Sequence, residues 1–390
     1  MSHRRPTQPA ITLILLLTAL LGLSACAARA SKVSEARYAG GAPMDYAGGE
    51  AEYAPTRAAA PPMAPPMEEP AIQDPVSNAE DYTDYGFNDF TDPNQDPLST
   101  FSVDVDTASY TIARRKLLEG TLPPSSSVRI EEFINFFKYD YPQPDDQHPF
   151  AVDFGAARSP FDPNKTFIRV GLQGKDIDAR KRPPVHLVFL VDTSGSMQAA
   201  DKMGLLKQSL KYLVDNLQPQ DTVALATYAG ATTKVLDPTS VSNRGAILDA
   251  IDRLHAGGST AMASGLQLAY DMAYQNLKPG HIHRVVVCSD GDANVGPSSH
   301  EGILKTIGHY TKEGVTLSTI GFGMGNYKDT MMEQLANQGD GNYYYIDSFK
   351  EARRIFGQDM LGTLVVIAKD VKIQVEFDPA VVKSYRLIGY

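Results

Sequence analysis

Residues 186–196 read HLVFLVDTSGS: an apolar run from His186 to Val191 that ends in a turn carrying Asp192, Thr193, Ser194 and Ser196. A short, nearly continuous apolar run bounded by turn residues is the pattern of a strand buried on both faces, as in parallel sheets. Similar runs lie at residues 223–227, 285–288, 315–320 and 343–346. Between them apolar residues recur at helical spacing, at Leu206, Leu210, Leu213 and Leu217, at Met262, Leu266, Ala269, Ala273 and Leu277, and at Ile303, Ile307 and Tyr310. Strands alternating with amphipathic helices predict an α/β fold with a doubly wound, mostly parallel sheet and helices on both faces, whose ligands bind beyond the carboxyl ends of the strands.

Two of those strand ends carry carboxylates. Asp192, Ser194 and Ser196 follow the first run, and Asp290-Gly291-Asp292 follows Val287-Cys288-Ser289. Between them Gly257-Gly258-Ser259-Thr260 opens a helix with a hydroxyl in a flexible turn. Hard divalent cations take about six oxygens and retain waters where the protein supplies few charges. Asp192, Ser194, Ser196, Thr260 and Asp290 offer such a set for Mg2+, or for Mn2+ or Ca2+. With only two carboxylates, the metal would keep a coordination position for an outside anionic oxygen, such as a partner's carboxylate.

DxSxS at residues 192–196, GGST ending at Thr260 and SDG around Asp290, in this order, resemble a von Willebrand factor type A domain with its metal-ion-dependent adhesion site, over about residues 182–365. The resemblance implies that Asp192, Ser194 and Ser196 hold the metal directly or through water, that Thr260 joins when ligand binds, and that Asp290 completes the site. It implies recognition of an acidic group on a protein or cell-envelope partner. The segment around 104–110 and 128–132 resembles the N-terminal domain of bacterial lipoproteins of this group, in which a β-rich third domain follows.

The organisation read from the chain is a signal peptide at 1–25, a Pro/Ala-rich tether at 26–97, a small α+β domain at 98–181, the α/β domain at 182–365, and the start of a β-rich domain at 366–390. The apolar run of the signal is 14 residues long, against about 20 for a stable membrane span. Leu23-Ser24-Ala25-Cys26 resembles a lipobox, which implies lipidation of Cys26 and a lipid-anchored envelope protein, with Ala27 pointing to the outer membrane. The composition at 27–97 favours an extended tether. In the α+β segment Asp106 is expected to cap a helix over 107–118, Asp104 and Asp106 to serve in capping and solvation rather than as a calcium loop, which lacks its glycine and closing glutamate, and residues 125–127 to cap a second helix. Residues 371–377 and 381–388 look like strands; with few partners for their apolar face, either the sequence is a fragment or this end packs on the preceding domain.

The net charge of −10 argues against a nucleic-acid partner. Of the two cysteines, Cys26 and Cys288, the second sits in an apolar run as a buried small hydrophobe, so no disulfide framework exists. A hydrolase reading lacks support: there is no HExxH or GxSxG, and no histidine in the three motif turns. His281 and His283 are read as a solvated strand entrance rather than a zinc site. Gly321-Phe322-Gly323-Met324-Gly325 lacks the last glycine of a dinucleotide loop and any phosphate-loop lysine, so no nucleotide is expected. The remaining competitor to adhesion is an envelope scaffold whose metal only stabilises it.

Overall fold

The computed structural model describes residues 82–84, 86–145, 147–178, 181–258, 262–291, 297–323, 329–368 and 371–389. The signal, Cys26 and most of the tether lie outside them, as does Thr260. The central sheet has six strands in the order β6-β5-β4-β7-β8-β9. These are β4 (Val185–Asp192), β5 (Thr222–Tyr228), β6 (Thr232–Ser240), β7 (Ile282–Ser289), β8 (Val315–Phe322) and β9 (Tyr343–Ile346). All neighbours are parallel except β5 and β6, which pair antiparallel at the edge with a register shift. Pro238 sits in β6, where an edge position spares it a ladder bond on its missing N–H.

Alternation along β4 divides the core in two. Leu187, Phe189 and Val191 face α3 (Leu205–Asn216), α4 (Arg244–Asp252) and the C-terminal run of α8 (Phe349–Arg354) and α9 (Met360–Thr363). Val188 and Leu190 face α5 (Met262–Tyr274), α6 (Pro297–Lys312) and α7 (Asp329–Gln338). Every residue of β4 is buried, as a central strand covered on both faces requires. Each large aliphatic side chain so buried contributes about 1.5–3 kcal/mol. Cys288 is buried in the first of these cores, where burial pushes its thiol well above the ordinary range. Among the described residues no helix is long and apolar enough to cross a membrane.

The flanking segments are woven into this domain. α1 (Ala108–Leu118) contributes Ala108 and Ile112 to the second core, and β1 (Leu98–Ser102) pairs antiparallel with β10 (Lys372–Glu376). β1 lies in the segment read as the domain 98–181 and β10 in the segment read as 366–390, so these segments share a two-stranded sheet, and the first also adds α1 residues to the central core. A hairpin, β2 (Phe150–Arg158) with β3 (Thr166–Gly174), lies between α2 (Ile130–Asn135) and β4 in the chain. Residues 381–388 form no strand; Tyr385 makes a single bridge to Thr91.

Asp106 departs from expectation. Asp106 does not cap α1; it is buried and its Oδ1 accepts the Tyr343 backbone N–H at 3.0 Å, tying the N-terminal segment to β9. Asp104 Oδ1 accepts the Asp106 N–H at 3.0 Å, and burial pushes its carboxyl up to about 6. Ser125–Ser127 form a tight turn of their own ahead of α2 and make no side-chain cap. His283 is buried beside His186 rather than solvated, with its Nδ1 lacking a hydrogen-bond partner.

Candidate functional site

The carboxyl ends of β4, β5 and β7 stand level, because Asp192 is in register with Tyr228 and Val191 with Cys288. This brings two side chains and one backbone N–H onto the Asp192 carboxylate. Tyr228 Oη donates to Asp192 Oδ2 at 3.1 Å, and Ser289 Oγ donates to the same oxygen at 3.0 Å. Oδ1 accepts the Ser194 N–H at 2.8 Å, which curls the chain tightly after the strand. The turn continues as a 3-10 helix over Gly195–Gln198 and a π-helical turn over Ala200–Gly204 into α3.

Ser194 stands at the head of that 3-10 turn but makes no capping bond; its hydroxyl lies 2.9 Å from the Ser196 hydroxyl. This distinguishes the turn from an ordinary Asp- and Ser-rich helix cap, in which the hydroxyl would be used on a backbone N–H. Asp192 and Ser194 are buried, while Gly195 is exposed and Ser196 half-buried, so the oxygens approach the surface along the turn. The neighbouring glycine loop is stitched to it: Gly257 N–H donates to the Thr193 carbonyl at 2.7 Å and Gly195 N–H to the Gly258 carbonyl at 3.2 Å. Gly258 has φ +119 and lies against Ala229 and Gly230, so a side chain there would be strained as well as crowded.

Of the five residues read from the sequence, Asp192, Ser194 and Ser196 sit in this one turn. Asp290 lies at the end of β7, close enough for its charge to help raise the Asp192 carboxyl. Burial is the main cause of that rise, opposed by the hydrogen bonds from Ser194 and Ser289. Burial and the Asp192 charge push the Tyr228 phenol well above its ordinary value, so it serves as a donor. Thr260 lies outside the described residues, two positions beyond Gly258.

The donor chemistry fits a hard cation. Two carboxylates and two neutral hydroxyls are oxygen donors only, and among the described residues no group of three or more His, Cys, Asp and Glu could hold a metal in the manner of a zinc site. Asp192 spends Oδ2 on two hydroxyl donors and keeps a lone pair on Oδ1 beside the serine pair.

Two participants escaped the sequence reading. Tyr228 ends an apolar run and resembles any core aromatic until its register with Asp192 is known. Lys202 lies in the helical turn ten positions after Asp192, and its Nζ donates to Asp290 Oδ2 at 2.9 Å. No local pattern distinguishes it from a surface lysine on a helix.

Comparison with known proteins identifies the regions of the chain. Residues 186–358 match the model of the von Willebrand factor type A domain, residues 76–169 a model described as von Willebrand factor, and residues 362–390 the C-terminal model of the uncharacterized protein YfbK. YfbK of Escherichia coli K12 is 42% identical over 316 residues, which is 79% of this chain and 55% of that protein. The uncharacterized protein sll0103 of Synechocystis is 28% identical over 191 residues, 49% of this chain and 44% of that one. The chain thus spans about half the length of these curated relatives, neither of which has a name that states an activity. A solved von Willebrand factor type A structure from Catenulispora acidiphila is 20% identical, with a TM-score of 0.41 over 58% of this chain and 51% of that one. The chain carries a von Willebrand factor type A domain, preceded by a further von Willebrand factor region and followed by a YfbK-like C-terminal segment.

Proposed function

We propose that the protein is a binding protein of the bacterial cell envelope, lipid-anchored through Cys26, that recognises an acidic group on a partner through a divalent cation held by Asp192, Ser194, Ser196, Thr260 and Asp290. The observation that carries this reading is the meeting of two buried carboxylates with the Ser194–Ser196 hydroxyl pair at the rim of the sheet. Mg2+ is the natural occupant, with Mn2+ and Ca2+ as substitutes. The cation would supply a positive coordination position for a partner's Asp or Glu carboxylate, while the serine turn and the glycine loop fix the donors around it. Recognition is favoured over hydrolysis because, among the described residues, the side chains bonded to Asp192, Ser194 and Ser196 are Tyr228, Ser289 and one another. A phenol held well above its ordinary pKa and serine hydroxyls do not make a general base.

The test is a Mg2+ titration of the full chain beside two variants. Asp192→Ala abolishes saturable binding because it removes charge and an oxygen; Ser194→Ala weakens it less. Undiminished titration in both variants refutes the metal site. A pull-down from envelope extract, with and without chelator, then separates adhesion from scaffolding: partner capture that survives both chelation and Asp192→Ala would mean the cation bridges nothing.

A further inference from the structure

We propose that Lys202 is a resident counter-cation of this site, an ammonium that shares the Asp290 carboxylate with the divalent ion and thereby holds down its affinity. The inference rests on the metal-site reading and adds to it a determinant that lies outside the five candidate ligands.

Three features separate Lys202 from a surface lysine that happens to reach an acid. First, its side chain is only 12% exposed and the Asp290 side chain is fully buried, so the 2.9 Å ion pair is shielded from water and salt. Second, its stem runs through a slot whose far wall is Gly323, at the end of β8. Any Cβ at Gly323 would collide with Cγ, Cδ and Cε of Lys202, and the glycine is held at φ +75, where other residues are strained. Third, that wall is fixed from behind: Arg115 of α1 donates to the Gly323 carbonyl at 3.2 Å, and the Tyr345 hydroxyl donates to the same oxygen. The lysine comes from a π-helical turn, an insertion that re-aims side chains and recurs at functional sites.

The consequence is a matter of charge. Asp192 and Asp290 together present two negative charges, and Lys202 reduces that to one. A divalent cation entering the site meets a like charge already bonded to one of its carboxylates, and it must either share Asp290 or turn the ammonium out. Lysine suits the second course, since it carries a compact charge on a flexible stem. The site is thereby built for moderate cation affinity, and a partner's carboxylate that adds negative charge at the rim restores what Lys202 cancels. Cation and acidic partner would then bind more tightly together than apart.

The experiment is calorimetric titration of MgCl2, and separately MnCl2, into the full chain and into Lys202→Met and Lys202→Gln. Both replacements preserve much of the stem that packs on Gly323 and remove the charge. Each variant should bind Mg2+ about tenfold or more tightly than the unaltered protein, by the Coulomb energy of one like charge at close range. In chelator each should melt at lower temperature than the unaltered protein, because Asp290 loses one buried charge partner, and each should gain more from saturating Mg2+. If Mg2+ affinity is unchanged or weaker in the folded variants while Asp192→Ala still abolishes binding, the role of Lys202 is refuted and the metal site stands. Tightening in only one variant would trace the effect to packing and refute the charge argument. Absence of saturable binding in every form overturns both readings.

Discussion

Arg129 offers the sharpest test of how the N-terminal segment is joined to the von Willebrand factor type A domain. Its guanidinium is buried, with Nε on Glu132 and Nη1 on Asp329, while Glu333 lies 3.6 Å away. Glu132 in turn accepts the Ser109 N–H at 2.8 Å, and the Tyr343 hydroxyl donates to Asp329, so one arginine links α1, α2, α7 and β9. One cation among three acids leaves negative charge in excess. Burial accordingly pushes Glu132 up to about 8 and Glu333 up to about 7. The sign follows from linkage: between the unfolded values near 4.5 and these raised values, the folded protein holds protons that the unfolded chain has released. Stability from these groups is greatest in acid and falls as pH rises through about 7 to 8.

Arg129→Met should deepen that fall. Near pH 5 the glutamates are protonated in either protein and the substitution costs mainly lost hydrogen bonds, about 1–3 kcal/mol. Near pH 8.5 it strands buried carboxylates and costs about 3–5 kcal/mol. Urea unfolding at the two pH values, with midpoints compared at constant slope, reads both numbers. An equal loss at both, or a loss under about 1 kcal/mol in alkali, would show that the acids are solvated or paired elsewhere and refute the reasoning.

Asp221→Ala should cost about 3–5 kcal/mol in the same assay, since it strips the buried Arg182 of a two-pronged partner and leaves the Val185 and Gln218 N–H groups without their acceptor. Gly341→Ala places its new methyl against the Leu317 carbonyl and should destabilise by about 1–3 kcal/mol or more through overpacking. Gly204→Ala, with nothing near its Cβ, should be neutral or slightly stabilising and serves as its control. Cys288 should stay unlabelled by a thiol reagent in the folded protein and react on unfolding, read by mass spectrometry of its peptide; rapid labelling of native protein would contradict its burial.

What could be read in the sequence depended on whether a feature is local. The five buried parallel strands carry their signal in consecutive apolar residues, and DxSxS and SDG mark where two of them end, so the sheet and the strand ends that carry Asp192 and Asp290 are legible together. β6 was not: its residues TTKVLDPTS are polar because an edge strand has one covered face, and Pro238 argues against a strand until the edge position is known. Asp106 fitted a helix cap because a carboxylate ahead of Thr107 usually is one; the Tyr343 N–H that claims it lies 237 residues away. The pairing of β1 with β10 joins residues about as far apart, and no periodicity encodes it.

Lys202 and Gly323 belong to the same class, each unremarkable alone and specified only by the other. A site made only of Asp192, Asp290 and serine hydroxyls would hold its cation by charge alone. A buried ammonium set into the same carboxylate would make cation occupancy depend on what else arrives. The N-terminal segment enters that arrangement through Arg115, which bonds the Gly323 carbonyl that walls the lysine in. Loosening α1 by Arg129→Met should therefore free the wall and raise Mg2+ affinity, though by less than Lys202→Met, which removes the charge itself. Unchanged Mg2+ titration in a folded Arg129→Met protein would show that the wall holds without α1.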